Sequence, residues 1–132
     1  MRWRWIEPTL VYAVHDHQIA EHGGLDGIRD QGAPESALVK PQNLALYAHP
    51  DAADLAAAYA FAIVRNHGFL DGNKRTAWVV ARLFLLDNGC QFTFDPDTAI
   101  AMMEQLAAGT VGEHELAQWF RENIQQFQAP TL

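Results

Sequence analysis

Apolar positions recur at helical spacing along most of the 132-residue chain. Leu10, Val11, Val14 and Ile19 form a loose stripe behind Pro8, a residue suited to a first helical turn, and Gly23-Gly24 stops it. The spacing therefore predicts a helix from about Pro8 to His22. Gly23 to Gln31 (GGLDGIRDQ) has the Gly and Asp content of a loop long enough to be functional, and Pro34 to Leu38 reads as a short helix start ended by Pro41. Asn43 to Tyr47 adds a further turn, and Asp51 is the expected N-cap of the next helix.

Leu55 to Val64 is apolar at every position, and Ala77 to Leu86 at all but Arg82. Helices without a polar face must be covered by others, so these two belong at the centre. Asn88-Gly89 closes the second, Gln91 to Phe94 reads as a short strand, and Asp95-Pro96-Asp97 opens a helix with Ile100, Met103, Leu106 and Ala107 on one face. After Gly109 and Gly112 a last helix is expected from about Glu113 to Phe127, its face made by Leu116, Trp119, Phe120, Ile124 and Phe127. The pattern predicts an all-α fold: one compact domain over residues 1–132, with about six helices around two central buried ones.

A 49% hydrophobic share and 19% charged residues suit a folded chain and not a disordered one. The net charge of -7 argues against a nonspecific nucleic-acid binder or an anionic-membrane binder, leaving room only for a local cluster of positive charge. Cys90 is the single cysteine, so neither an internal disulfide nor a thiolate zinc site can form. No apolar stretch of signal-peptide length follows the N-terminus, and the two apolar runs are half the ~20 residues of a membrane span. A cytoplasmic location is expected.

The chemistry concentrates in Asn66 to Thr76, NHGFLDGNKRT, the polar segment between the two core helices. Asp71-Gly72 makes a turn, Asn73 is a favoured N-cap, and Lys74, Arg75 and Thr76 form the next helix's first turn. Free backbone N–H groups there, with the positive end of the helix dipole, make an anion site. Two cations in a first turn oppose the dipole, and an acidic chain that puts them there would balance them with a bound anion, phosphate first of all. His67 can take a proton from an incoming hydroxyl. Asp71 offers one carboxylate, which suits Mg²⁺ shared with nucleotide phosphates. Together they describe phosphoryl or nucleotidyl transfer from a nucleoside triphosphate to a hydroxyl.

The string HGFLDGNKRT resembles the signature of the Fic/Doc superfamily, and its Lys74 places it nearer the death-on-curing (Doc) toxins. Gly23 to Asp30, Glu35 to Leu38, and Leu83 to Leu85 with Asn88-Gly89 also resemble Doc-type chains. The resemblance implies a small helical toxin restrained by a short antitoxin whose disordered C-terminal segment folds onto it. It further implies an ATP- and Mg²⁺-dependent protein kinase that moves the γ-phosphate to a hydroxyl of translation elongation factor Tu and halts protein synthesis. Carried over by position, His67 is the base, Asp71 the magnesium carboxylate, and Gly72, Asn73, Lys74 and Arg75 hold phosphate, with Phe69 anchoring the loop. Lys74 and Arg75 also count among the catalytic residues. Adenylylating Fic enzymes have glycine at the position of Lys74 and arginine at that of Trp78, which favours kinase over adenylyl transfer, although Gly72 matches the Fic form. The Fic-type inhibitory motif Ser/Thr-x-x-x-Glu-Gly/Asn does not occur. Protein adenylylation and a catalytically inactive partner-binding module are the alternative readings.

Other residues read as structural. His15, His17, His22, His49 and His114 have no partners in sequence and default to surface or hydrogen-bonded histidines. Arg29 divides evenly between a structural role and contact with target or phosphate. Arg65 and Arg82 read as solvated or carboxylate-paired, Cys90 as a small core or edge residue, and Trp78, Trp119 and Phe120 as core.

Overall fold

The computed structural model describes residues 3–126. Seven helices and a two-stranded ribbon follow in order: α1 Pro8–His22, α2 Ala33–Ala37, α3 Val39–Tyr47, α4 Ala52–Asn66, α5 Asn73–Asp87, β1 Cys90–Phe92, α6 Pro96–Ala108, α7 Glu113–Glu122 and β2 Ile124–Gln126. The helical fold expected from the pattern is what forms, α2 being little more than one turn.

Helix α4 is the axis. From Leu55 to Val64 every side chain is buried except Phe61, which is half-buried. Its alanines leave room for neighbours to approach closely, and α2, α3, α5, α6 and α7 all pack on it. Helix α5 is central on one side only: Ala77, Val80, Ala81, Phe84 and Leu85 are buried, whereas Leu86 is 61% exposed. An apolar run does not by itself say how many neighbours a helix will have.

Asp51 caps α4 as expected, and the cap is reciprocal. Its Oδ1 accepts the Asp54 N–H at 2.9 Å and Asp54 Oδ2 accepts the Asp51 N–H at 3.0 Å. Arg121 of α7 then grips both carboxylates, donating to Asp51 through Nε (2.7 Å) and Nη2 (3.1 Å) and to Asp54 at 2.8 Å. The last helix thereby locks to the start of the central one.

Three local expectations change. Pro41 does not end a helix but sits in the first turn of α3, where its missing N–H costs nothing. Ile100 does not join the buried face of α6: it is 61% exposed, and Ala99 lies inside instead. The last helix stops at Glu122, and Ile124 enters β2, which pairs antiparallel with β1 in the register Cys90 with Gln126 and Phe92 with Ile124. Helical spacing and strand alternation are hard to separate over so few residues, and only the presence of β1 decided between them. Phe127 lies outside the described residues. No described helix is long and apolar enough to cross a membrane.

The Arg121 guanidinium holds the Asp51 carboxyl down at about 2, against the smaller opposing effect of burial. A folded-state value below the unfolded one means that this contribution is complete near neutrality and is lost as pH falls through about 4 to 2. Asp51→Asn keeps a capping oxygen but removes the charge. Because the pair is about half exposed, the variant should lose about 1 kcal/mol or less at pH 7. Its stability should also fall less steeply than wild type between about pH 5 and pH 2. Urea unfolding across that range measures both, and parallel acid losses in the two proteins would refute the clamp.

Candidate active site

Between α4 and α5 the chain makes a loop of six residues, 67–72, held by one buried aromatic. Phe69 is 2% exposed and stacks on the His15 ring of α1, with centroids 3.7 Å apart and planes 8° from parallel. His15 is equally buried, and its Nε2 lies 2.8 Å from the Asp71 carbonyl. A carbonyl can only accept, so Nε2 carries the proton and donates. His15 therefore fixes the loop from below by stacking and hydrogen bonding together. The sequence offered no partner for it, because the partner is a backbone oxygen 56 residues away.

The glycine-rich segment after α1 fastens the loop from outside. Arg29 N–H and Asp30 N–H donate to Gly68 O at 2.8 and 3.2 Å, Leu70 N–H donates to Gly27 O at 3.1 Å, and Ile28 bridges Phe69 in antiparallel fashion. The Arg29 backbone is thus structural, while its side chain is exposed. Gly68 passes so near α2 that a Cβ there would stand 2.7 Å from the Pro34 ring. Gly24 is as tightly placed, since a Cβ on it would meet Asp71 Oδ2 at 2.9 Å.

His67, Asp71, Gly72, Asn73, Lys74 and Arg75 all line one cavity of about 660 Å³, a size that suits a nucleotide-scale ligand. Trp78 of α5 and Ile100, Met103 and Glu104 of α6 line the same cavity. His67 is exposed and ends α4 at φ 45°, ψ 48°, the single non-glycine residue with positive φ among those described. A side chain held in the left-handed region is strained by about 1 kcal/mol, a cost typical of functional positions.

Asn73 is not the N-cap of α5. Gly72 takes that place at φ 79°, where an added Cβ would stand 3.3 Å from Ile19. The Asn73 side chain instead turns back to Phe69, accepting its N–H at 3.2 Å and donating to its carbonyl at 2.9 Å. Asparagine thus braces the loop from within. The first α5 amide to find an intrahelical acceptor is that of Thr76, on Gly72 O at 3.0 Å, so the amides before it face the cavity end.

Lys74 has a protein counter-charge that the sequence did not reveal: Glu104 Oε1 lies 2.9 Å from its Nζ. Arg75 is exposed and makes no ion pair among the described residues. The Asp71 carboxylate accepts one N–H on each oxygen, from Gly72 at 3.1 Å and from Leu25 at 3.3 Å, which leaves lone pairs for a hard cation. Among the described residues one group of three metal-ligating side chains converges, His15, Asp16 and Asp26, and Asp71 is not in it. A cation at Asp71 would draw its other ligands from phosphate and water, as Mg²⁺ prefers.

Arg65 and Arg82 are exposed, as the solvated reading expected, and rest on aromatic faces and not on carboxylates, Arg65 5.2 Å from Phe61 and Arg82 4.9 Å from Phe94. Cys90 is buried, and burial pushes its thiol pKa up. Trp78 is half-buried and belongs both to the aromatic cluster with Phe92 and Phe94 and to the cavity wall.

The model of the Fic/DOC family matches residues 5–85, a span that includes α1, the glycine-rich segment and the whole loop. The chain is 39% identical over 97 residues to Protein kinase doc of Escherichia phage P1, taking in 73% of this chain and 77% of that protein. It is 42% identical over 89 residues to Toxin Doc of Mycolicibacterium smegmatis, 64% of this chain and 68% of the relative.

The left-handed backbone at His67 makes a testable statement about stability. His67→Gly should stabilise the fold by about 1 kcal/mol, against the usual cost of glycine, because only the strain is relieved. Equilibrium denaturation decides it. A less stable His67→Gly protein would mean that imidazole contacts, and not strain, dominate at this position.

Proposed function

The chain belongs to the Fic/Doc family, and on that footing we propose that it is a Doc-type protein kinase acting as the toxin of a toxin–antitoxin pair. The observation that carries this reading is the convergence of His67, Asp71, Lys74 and Arg75 on one cavity, with Lys74 and Trp78 standing where adenylylating Fic enzymes carry glycine and arginine. The names of the two relatives, one a protein kinase and one a toxin, support the same reading.

In this mechanism the α5 amides, Lys74 and Arg75 hold the ATP phosphates at the positive end of the helix, and Asn73 keeps the loop in the shape that presents them. His67 takes the proton from a target hydroxyl as its oxygen bonds to the γ-phosphorus. The bond from that phosphorus to the β–γ bridging oxygen breaks, and ADP leaves with the electron pair. Mg²⁺ at Asp71 would neutralise charge on the phosphates. The cavity and the fixed loop contribute positioning and electrostatics, which is most of what phosphoryl transfer asks of a protein.

The target proposed is translation elongation factor Tu, whose modification would stop protein synthesis. Restraint would come from a short antitoxin whose disordered C-terminal segment orders on the chain, packing apolar residues between helices. At a net charge of -7 the chain favours a segment that is not strongly acidic.

Two measurements test the proposal. Label from γ-labelled ATP should pass to a bacterial cytosolic protein, and His67→Ala should lower the rate by about 10²-fold or more while leaving ATP affinity nearly unchanged. Transfer from α-labelled ATP alone would replace the kinase by an adenylyltransferase. Separately, expression of the wild-type chain alone in a bacterial host should arrest growth and that of His67→Ala should not. Harmless high-level expression of the wild type would contradict the toxin reading and the need for an antitoxin.

A further inference from the structure

The Lys74–Glu104 contact joins two helices, α5 and α6, that both line the cavity. Lys74 stands in the first turn of α5, Glu104 lies on α6, and both side chains line the same space. Their charged atoms are 2.9 Å apart, with side chains 43% and 61% exposed. A lysine at a helix N-terminus is repelled by the dipole, so a carboxylate brought to it from another helix supplies the compensation that its own helix lacks. The carboxylate occupies the place a phosphate oxygen would take on Lys74. A half-exposed pair is weak enough for a polyphosphate, with several charges, to displace.

We infer that Glu104 is the resident counter-ion of the phosphate subsite: it holds Lys74 from α6 until a polyphosphate takes its place, and so sets how tightly polyphosphate binds. This rests on the phosphate-binding part of the proposed function, not on transfer. Glu104 is a specificity residue acting through Lys74. Monoanions with no more charge than the carboxylate gain little by displacing it, whereas a triphosphate brings additional contacts to Arg75 and the helix amides. Once displaced, Glu104 remains in the cavity wall as a negative charge, so part of its opposition persists in the bound state.

Inorganic tripolyphosphate, titrated calorimetrically into the full chain, is the probe. Glu104→Gln should bind it about two- to fivefold more tightly than wild type, the range an exposed ion pair can shift, and the gain should shrink as salt is raised. In a Lys74→Met background the same substitution should gain less than half as much. Equal gains in both backgrounds would show a through-space field without the Lys74 latch, and weaker binding by Glu104→Gln would show that Glu104 organises the subsite; either overturns the inference. Wild-type protein that binds no tripolyphosphate overturns the inference and the phosphate site together. The expected gain without γ-phosphate transfer leaves the inference standing and counts against the kinase alone. Glu104 is largely exposed, so the variant should melt close to wild type.

Discussion

The rings of Phe69 and His15 lie face to face, 3.7 Å between centroids, and the loop that carries His67 and Asp71 into the cavity is anchored on that stack. It is the point where α1 meets the α4–α5 loop. The same imidazole donates to the Asp71 carbonyl, so one side chain fixes both the apolar anchor of the loop and the backbone beside its carboxylate. The carbonyl is only partly buried, so losing this donor would cost no more than the about 1–3 kcal/mol of a fully buried acceptor. Removing the ring would also leave a void beside Phe69, and the two losses fall on the same six residues.

Around that anchor the loop is determined from all sides. Asn73 holds both backbone groups of Phe69, the segment 27–30 holds Gly68 and Leu70, and α2 presses on Gly68 through Pro34. Such surroundings can keep His67 in a left-handed conformation that a freer loop would relax. Strain in an exposed histidine is maintained here by contacts made elsewhere. That arrangement suits the proton-acceptor role proposed for His67, because the residue is placed by backbone geometry and needs no side-chain partner.

The electrostatic design is local. A chain of net charge -7 carries at one helix start two cations that its dipole disfavours. One of them, Lys74, is answered by Glu104 from α6, and Arg75 stays in solvent. The tension read from the sequence was real, but half of its answer lies within the protein. In the proposed phosphate site an anion would therefore compete with a carboxylate for Lys74 and meet Arg75 and the α5 amides more freely.

The sequence by itself determined the helices with strong punctuation, such as α1 from Pro8 to His22, the buried course of α4 and the Asp51 cap. It also marked the segment proposed to carry the chemistry, because periodicity and a polar interruption between two apolar runs are local properties. Only the tertiary structure decided what depends on a distant partner. His15 resembled any other histidine until its face met Phe69 and its proton met the Asp71 carbonyl. Ile124 looked helical until β1 offered an edge, and Glu104 drew no notice until α6 brought its carboxylate to Lys74 on α5. In each case the deciding energy is a hydrogen bond, a stack or a charge contact between positions that nothing in their local sequence connects, so only the folded chain can bring them together.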